Sequence, residues 1–429
     1  MTPVERRLKL ARPKRLLSID GGGIRGIVAA QILKRVETII CNKNSRWQCL
    51  ADYFDFIGGT STGSIIAAGL AKGMKVDEIL NLYKNNGSAI FQKNELTQAQ
   101  IIEFFSPYIQ NLLDNIKGVP MWEWWVKNYV RNKIYDNLPK ALNEYQDLLL
   151  QLILGAKYNQ KPLEDILKEK FPDIRLGSEE LKTLLMITVK NTTTDRMWFF
   201  VNNPPSEFFN TNKDILLSDI VRASSAAPTY FPPHCIKVGD KEYGFIDGGM
   251  SAYNNPSLQL FLEATKKDYQ IGWETGTDKL LMISVGTGFS NDLVEPQKVK
   301  DYKLLDWAKY TVGILMDDVN AQQNILMKII SKTPNPEQIN REMSAFSMPV
   351  SAEIQQQLNF TPLLTYHRYT TSFTQERFQK LGLPPDINPE SVKPMDCVAQ
   401  IESLCKIGEA VAKQQVSDNH FKGFWDDDY

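Results

Sequence analysis

The sequence predicts an α/β protein with a mostly parallel central sheet flanked by helices. Short apolar runs have the pattern of buried strands and are followed by helical stretches, and two strand–helix junctions consist of small residues. Strands that alternate with helices are typical of a parallel sheet that is covered on both faces. A composition of 43% hydrophobic and 23% charged residues is ordinary for a globular protein of this kind.

The first strand–helix unit combines a strand at Leu16–Asp20 with a glycine-rich turn and a helix over 24–40. The second combines a strand at Phe54–Gly58 with a tight turn and a helix at Gly63–Lys72, with Gly73 as its C-cap. Three later apolar runs predict further strands: "LKTLLMITVKN", "MWFFVN" and "KLLMISVGTG".

We expect a catalytic domain over residues 14–290, with a helical insert at about 98–171, and a mainly helical C-terminal region over 291–429. The insert contains "VPMWEWWVKNYVRNKIY", where tryptophans lie beside basic residues. Such a segment suits a membrane interface, but a core helix that packs its aromatic side chains is the favoured interpretation. "DCVAQIESLCKIGEAVAKQQV" predicts an amphipathic helix with Asp396 as its N-cap, and the final "FWDDDY" an acidic frayed end.

Net charge, apolar stretches and cysteine spacing limit the functions that the sequence allows. A formal net charge of −1 over 429 residues gives no electrostatic reason to expect nucleic-acid binding. The basic tract at 6–16 is expected to be a solvated arm before the first strand. No apolar stretch reaches the roughly 18 residues that span a membrane, and no secretory signal is recognised. Five cysteines without CxxC spacing favour neither disulfides nor a zinc site, so a cytoplasmic location is expected, peripheral to a membrane, and secretion by another route stays open.

Gly59-Thr60-Ser61-Thr62-Gly63 matches GxSxG between a predicted strand and a predicted helix. In a nucleophile elbow the serine lies in a strained turn, and small residues flank it because chain segments approach closely there. The helix that follows directs its N-terminal N–H groups at the site. The pattern alone often arises by chance, but its context favours Ser61 as a nucleophile over a simple tight turn.

A serine nucleophile needs a base, and the histidines of the sequence are His234, His367 and His420. None of them ends a strand beside a glycine-rich loop, so each is expected to be structural. A carboxylate is the other candidate, since the predicted strand Tyr243–Ile246 ends in Asp247-Gly248-Gly249. Burial beside a serine would raise the pKa of Asp247 and let it accept a proton, whereas a plain turn fits these residues equally well.

Asp20-Gly21-Gly22-Gly23-Ile24-Arg25-Gly26 fits GxGxxG, the pattern of a dinucleotide site. Such a site needs an acidic residue at the end of a second strand, and Glu37 lies within the predicted helix instead. The better interpretation is an oxyanion hole, because the amides of consecutive glycines converge on an alkoxide without obstruction. Arg25 would add positive charge there. A P-loop is excluded, since no Gly-Lys-Ser or Gly-Lys-Thr follows the glycines.

With "DGGGIRG", "GTSTG" and "DGG" in this order, and "RASSAAPTYFPP" before the last of them, the chain resembles the patatin-like phospholipase family over about 16–256. The resemblance implies a three-layer α/β fold and a Ser–Asp dyad that hydrolyses acyl esters of lipids without a metal or an organic cofactor. Ser61 is then the nucleophile and Asp247 the general base. The oxyanion hole would be formed by the amides of Gly22, Gly23 and Thr62. The residues that would support these turns are Gly21, Arg25, Gly26, Gly59, Gly63, Gly248 and Gly249.

The resemblance also implies a membrane lipid as the substrate and a transient association with the membrane surface. Some bacterial relatives are effectors that a small ligand such as a cyclic nucleotide switches on, so a small-molecule activator is an expectation of the same kind. Two other functions remain open from the residues: a nucleotide-dependent oxidoreductase that uses the glycine loop, and a scaffold with a degenerate hydrolase fold. The motifs do not set the oligomeric state.

Overall fold

The computed structural model describes residues 1–114, 127–129, 131–133, 146–290, 294–334, 339, 342 and 360–426. The strands within these residues are β1 (Lys14–Ile19), β2 (Phe56–Thr60), β3 (Leu184–Asn191), β4 (Arg196–Val201), β5 (His234–Val238), β6 (Lys241–Asp247), β7 (Leu280–Val285), β8 (Ser331–Lys332) and β9 (Leu364–Tyr369). The helices are α1 (Pro3–Lys9), α2 (Gly26–Lys43), α3 (Leu50–Tyr53), α4 (Thr62–Lys72), α5 (Val76–Ile90), α6 (Gln98–Asp114), α7 (Gln160–Lys170), α8 (Phe209–Asn212), α9 (Leu217–Ser224), α10 (Ser257–Thr265), α11 (Pro296–Lys300), α12 (Leu304–Ile330), α13 (Gln375–Lys380), α14 (Pro389–Val392) and α15 (Ile401–Gln415).

The described strands form one mixed sheet in the order β5-β6-β3-β2-β1-β7-β9-β8, with β4 paired to β3. Neighbours from β3 through β8 in this order run parallel, whereas β4, β5 and β6 pair antiparallel. β1 and β7 are buried along their whole length, as central strands covered on both faces are. The predicted mostly parallel sheet is confirmed.

Side chains from the two faces of the sheet enter two separate apolar clusters. On β1, Leu17 packs in the larger cluster with Val36 of α2, and its neighbour Leu16 packs in the smaller one with Phe261 of α10 and Met327 of α12. Successive residues of a strand point to opposite faces, so helices must cover both sides. The result is the three-layer arrangement of helices, sheet and helices.

The region after Gly288 contributes two strands that the sequence analysis did not predict. β9 pairs in parallel with β7, and β8 pairs with β9. The β9 sequence "LTYHRY" alternates poorly, yet Arg368 in it is buried. Its guanidinium donates hydrogen bonds of 2.8 and 2.5 Å to the two carboxylate oxygens of Asp20. The same guanidinium also donates hydrogen bonds of 3.0 and 2.8 Å to the carboxylate of Glu342. Because a buried charge is tolerated only when it is paired, partners that lie far from β9 in the sequence allow this segment to be interior.

The basic tract at 6–16 is not a solvated arm, and that prediction was wrong. Residues 3–9 form α1, and the guanidinium of Arg12 binds the buried carboxylate of Asp55 at 2.7 Å. The side chain of Arg15 is buried and pairs with Asp426. Carboxylates from distant parts of the chain hold these cations against the protein, which a count of local charges does not reveal.

The C-terminal residues do not fray up to residue 426, which corrects a second prediction. Phe424 is buried. The ring of Trp425 stacks on Trp47 with the ring centroids 6.0 Å apart. Aromatic packing and the Asp426 ion pair therefore fix this end of the chain on the fold.

Asp396 is not the N-cap of the last long helix. α15 begins at Ile401, after a short 3-10 turn at Val398–Gln400. The carboxylate of Asp396 instead accepts hydrogen bonds from Lys157 Nζ at 2.9 Å and from the Tyr158 hydroxyl at 2.5 Å. The side chain of Asp396, which the sequence predicted to cap a helix, therefore forms tertiary contacts with Lys157 and Tyr158 instead.

The stretch predicted as a helical insert contains α6, α7 and a helical segment at 146–154. The tryptophans that suggested a membrane interface lie outside the described residues: Trp122, Trp124 and Trp125. In the part of the chain that is described, no helix combines the length and apolarity needed to cross a bilayer.

Candidate active site

Ser61 lies in the turn between β2 and α4, with φ of 55° and ψ of −125°. A non-glycine residue at positive φ is strained and is held there only by its surroundings. Glycine is required at positions 59 and 63, on either side of Ser61, because neighbouring main-chain atoms leave no room for a Cβ there. A Cβ on Gly59 would lie 2.1 Å from the carbonyl oxygen of Gly63, and a Cβ on Gly63 would lie 2.3 Å from that of Ile19. The turn has the geometry of a nucleophile elbow.

The hydroxyl of Ser61 donates a hydrogen bond of 2.5 Å to Oδ2 of Asp247. The other carboxylate oxygen, Oδ1, accepts a hydrogen bond of 2.6 Å from the amide of Gly249. Asp247 is buried, and this burial raises its pKa to about 6, against the two hydrogen bonds, which favour the ionised form. A carboxylate with this pKa is ionised near neutral pH and accepts a proton more readily than an exposed one.

The register of β3 brings these two side chains together. Thr60, the last residue of β2, is paired in parallel with Thr188. Asp247, the last residue of β6, is paired antiparallel with Val189. Consecutive positions on one strand therefore place two strand ends side by side, although Ser61 and Asp247 are 186 residues apart in the sequence.

A Cβ on Gly248 would lie 2.5 Å from the carbonyl oxygen of Thr188. One on Gly249 would lie 2.7 Å from Oδ1 of Asn254. Both glycines of the Asp-Gly-Gly segment are thus needed where the chain turns past the end of β3. The segment is more closely packed than a simple surface turn.

Ser224 lies in the segment "RASSAAPTYFPP", and no role was predicted for it from the sequence. Its Oγ accepts a hydrogen bond of 2.9 Å from the amide of Ser61 and donates one of 2.8 Å to the carbonyl oxygen of Thr188. It ties the strained turn to β3. The available signal was a serine pair at the end of α9 in an otherwise apolar stretch, "RASSAAP".

The glycine loop, Gly21–Gly26, lies against the Ser61 turn. A Cβ on Gly21 would lie 3.0 Å from Cβ of Ser61, and one on Gly26 would lie 2.5 Å from Oγ1 of Thr62. One on Gly22 would lie 2.1 Å from Oγ1 of Thr287. Glycine is therefore required where the loop contacts the elbow and its neighbours.

Gly22 and Gly23 line the same cavity as Ser61. Among the described residues, no oxygen accepts a hydrogen bond from the amide of either glycine. Thr62 also lines the cavity and begins α4, and its hydroxyl lies 2.5 Å from the hydroxyl of Tyr83. Unbound amides beside a hydroxyl nucleophile are the arrangement that an oxyanion hole requires; their assignment to one stays a prediction.

Arg25 braces the glycine loop through contacts that do not involve Ser61 or Asp247. Its Nη1 donates a hydrogen bond of 3.1 Å to the carbonyl oxygen of Lys393, and its Nε donates one of 3.3 Å to that of Gly22. The amide of Ile24 donates one of 2.8 Å to the carbonyl oxygen of Met395. The segment 393–396 therefore holds the loop from the C-terminal side of the chain.

The three histidines make contacts elsewhere. His234 Nε2 lies 3.3 Å from Asp219, and His420 Nδ1 lies 2.7 Å from the hydroxyl of Tyr369. His367 is buried in β9, and its ring stacks on that of His420. None of these contacts involves Ser61 or Asp247.

A cavity of about 600 Å³ opens at Ser61 and Asp247. Much of its wall is apolar and comes from different elements, among them Ile65, Ile90, Leu163, Phe231 and Met316. Cavities of about 300–1,000 Å³ hold small-molecule ligands, and a lining of this kind favours an apolar one. An apolar chain bound in this cavity would lie beside a serine that is hydrogen-bonded to a carboxylate.

The family model described as "Patatin-like phospholipase" matches residues 17–261, more than half of the chain. The chain belongs to the patatin-like phospholipase family. The match includes the glycine loop, the Ser61 turn and Asp247. The resemblance stated from the motifs is therefore confirmed.

Two curated relatives illustrate the patatin-like family. "Patatin-like protein 2" of Arabidopsis thaliana is 30% identical over 308 residues, covering 68% of this chain and 64% of that protein. A "cGAMP-activated phospholipase" of Escherichia coli (strain TW11681) is 29% identical over 278 residues, covering 64% and 62%. Both matches extend over less than two thirds of the relative's length. VipD from Legionella pneumophila aligns with 92% of this chain and 67% of its own, at 14% identity and a TM-score of 0.34.

Proposed function

We propose that this patatin-like protein is a serine acyl hydrolase that cleaves fatty-acyl esters of membrane phospholipids or glycerolipids. The hydrogen bond of 2.5 Å from Ser61 to Asp247 carries the proposal. The raised pKa of Asp247, the adjacent glycine amides and the apolar cavity support it. Ser61 is the nucleophile and Asp247 the general base.

Asp247 takes the hydroxyl proton as Oγ of Ser61 attacks the carbonyl carbon of the ester. The amides of Gly22, Gly23 and Thr62 donate hydrogen bonds to the oxyanion that forms. The intermediate collapses, and the leaving alcohol takes the proton from Asp247, so an acyl group remains on Ser61. Asp247 then removes a proton from water, which attacks the acyl carbon. As the bond between that carbon and Oγ of Ser61 breaks, Asp247 returns the proton to Oγ, so the fatty acid is released and both side chains are restored.

A lipid substrate implies a transient association with a membrane surface. Gating by a small ligand is a further part of the proposal, and its support is the similarity to the Escherichia coli protein described as a cGAMP-activated phospholipase. Hydrolysis that rises on adding cGAMP or another cyclic dinucleotide would support gating. Full activity of the purified chain alone would contradict it.

A nucleotide-dependent oxidoreductase is the weaker alternative. On the side of the glycine loop toward which a Cβ would project, Asn254, Thr287 and the carbonyl oxygen of Met395 pack closely and would lie 2.1–2.4 Å from added Cβ atoms. Binding of NAD or NADP in a calorimeter would favour that alternative. Covalent labelling of Ser61 by a fluorophosphonate would contradict both the oxidoreductase and a non-catalytic scaffold.

The deciding experiment incubates the purified protein with mixed liposomes and identifies the released products by mass spectrometry. Ser61→Ala is expected to abolish fatty-acid release. Ser45→Ala serves as the matched control, because Ser45 is an exposed serine that lies outside the cavity lining. Fatty-acid release that persists in the Ser61→Ala protein would refute the proposal.

A further inference from the structure

Helix α12 presents large apolar side chains to solvent. Trp307, Ile314 and Leu315 are all exposed. Their spacing of seven and eight residues places them along one face of a helix. Tyr310 lies on the same face, and its ring centroid is 6.0 Å from that of Trp307. Asp317 and Asp318 follow these residues, and the next exposed large apolar side chain of α12 is Leu326, eleven residues after Leu315.

This stripe borders the cavity that leads to Ser61. Gly313 and Met316 line the cavity, and Ile314 and Leu315 lie between them in the chain. Thus the same turn of α12 contributes side chains to the cavity wall and to the outer surface.

Two other segments have the same arrangement. Met250, just after the Asp-Gly-Gly segment, lines the cavity and is exposed. Leu152 is exposed and directly follows Gln151, which lines the cavity. Three separate parts of the chain therefore place exposed apolar side chains within one residue of the cavity wall. We call these residues, Leu152, Met250, Ile314 and Leu315, together with Trp307 farther along the same face of α12, the apolar rim.

We propose that the apolar rim is the surface through which this protein docks on a phospholipid bilayer. The proposal rests on the proposed function and adds the location of the membrane contact. A lipid surface is the fitting occupant because the cavity beside the rim is lined largely by apolar side chains and contains Ser61, so an acyl chain that left the bilayer there would enter apolar surroundings. Tryptophan and tyrosine favour the headgroup region, and aliphatic side chains favour the acyl boundary.

The test measures flotation with phosphatidylcholine vesicles that contain a minority of phosphatidylglycerol. Leu315→Glu and Trp307→Glu are expected to weaken vesicle binding about tenfold or more, because each places a charge where apolar area should be buried. Leu315→Trp is expected to strengthen binding. This opposite change excludes misfolding as the cause of the losses.

Phe208→Glu is the matched control. The exposed fraction of Phe208 is 62%, close to the 57% of Leu315. Thr211 of the adjoining helix α8 lies 3.8 Å from the position of a Cβ added to Gly239. Gly239 is in the turn before β6, and Asp247 is the last residue of β6. Phe208 is therefore near the end of β6 that is opposite to Asp247. Vesicle binding by Phe208→Glu should match that of the unaltered protein. Equal losses in Phe208→Glu and Leu315→Glu would overturn the proposal.

Turnover of a water-soluble ester, p-nitrophenyl butyrate, separates docking from chemistry. Leu315→Glu should hydrolyse it within about twofold of the unaltered rate, since surface substitutions outside the cavity have small effects, while hydrolysis of vesicle lipid falls in step with binding. Unaltered binding of Leu315→Glu to vesicles would overturn the docking proposal and leave the hydrolase proposal standing.

If the unaltered protein hydrolyses neither ester, the proposed function fails and flotation still decides docking. A second copy of the chain is the competing occupant. Light scattering that shows a dimer dispersed by Leu315→Glu, with no change in vesicle binding, would assign the rim to that contact and overturn the proposal.

Discussion

Asp247 is paired with Val189 through the antiparallel main chains of β6 and β3. The preceding residue of β3, Thr188, is paired with Thr60, the residue before Ser61. The relative position of the two candidate catalytic side chains is thus fixed by sheet register rather than by loop conformation. Exchanging either side chain should leave the main chain in place, so activity and stability can be measured separately.

Asp247→Asn should lose activity without losing stability. Burial raises the pKa of Asp247 from 3.8 to about 6, so ionisation is less favourable in the folded protein than in the unfolded chain. The resulting destabilisation appears as pH rises from about 4 to 6 and is complete above it, at about 1–3 kcal/mol. The neutral side-chain amide of an asparagine avoids the cost of burying a charge, but it has one oxygen acceptor where the carboxylate has two.

We therefore expect an equal or higher melting temperature at pH 8, with hydrolysis reduced about 10²–10⁴-fold. Differential scanning calorimetry and fatty-acid release measure the two effects. A clearly lower melting temperature with activity retained would contradict both the pKa argument and the role of the carboxylate as a base.

The pH profile of kcat/KM should report the same carboxyl. Since Asp247 must be ionised to act as a base and its pKa is about 6, kcat/KM on a soluble ester should fall in proportion to the ionised fraction below about pH 6 and level off above it. Glu37→Gln is the control, because burial also raises the pKa of Glu37, to about 7, but its carboxylate accepts from the amide of Val76, away from the cavity. An inflection that moves in Glu37→Gln would show that a different group is observed.

Ser224→Ala should loosen the Ser61 turn. The substitution leaves the Ser61 amide and the Thr188 carbonyl without this partner, which costs about 1–3 kcal/mol for buried groups. Ser225→Ala is the stability control, since the buried Ser225 hydroxyl has no hydrogen-bond partner among the residues that the structure describes, and its loss should not destabilise. Urea denaturation compares the two variants, and similar midpoints would argue against the tie to β3.

Asp396→Asn should lower turnover through the glycine loop. Its carboxylate is held by Lys157 and Tyr158, and the preceding Met395 carbonyl accepts from Ile24 of the loop. A displaced 393–396 segment should misplace the loop amides and reduce kcat about tenfold with little change in KM for a soluble ester.

Glu390→Gln is the control for Asp396→Asn. It removes a surface pair with Lys393, in which the side chain of Glu390 is 73% exposed, and such pairs contribute little. Steady-state kinetics on both variants decide the matter. An equal kcat in the two proteins would exclude a positioning role for Asp396.

Asp426→Ala should destabilise the protein at its C-terminal end. Arg15 is buried, and it would keep its charge without its carboxylate partner, at a cost of about 3 kcal/mol. Glu376→Gln, which removes an exposed pair with Lys380, should have no measurable effect on the melting temperature. Similar melting temperatures for the two variants would mean that the last described residues do not anchor the fold.

Structural features that depend on residues adjacent in the sequence were predictable. The strand–turn–helix units, the glycine at the end of α4 and the order of the three motifs follow from local apolar spacing and from backbone conformations that few residues adopt. Gly73, for example, has a φ of 95°, which favours glycine and ends the helix as expected. The family followed from the same motifs.

Features that depend on partners far along the chain were not predictable. Arg368 is tolerated in the interior strand β9 because Asp20 and Glu342 neutralise it. Asp396 is not at its expected cap because Lys157 and Tyr158 bind it. The serine pair at the end of α9 marks Ser224 as unusual in an apolar stretch, but nothing local identifies the Ser61 amide as its partner.

The sequence by itself determined which residues were able to act, namely a serine in a glycine-flanked turn and an aspartate at a strand end. Only the tertiary structure decided that they meet, because the pairing of two strand ends on neighbouring positions of β3 sets a distance that neither segment encodes alone.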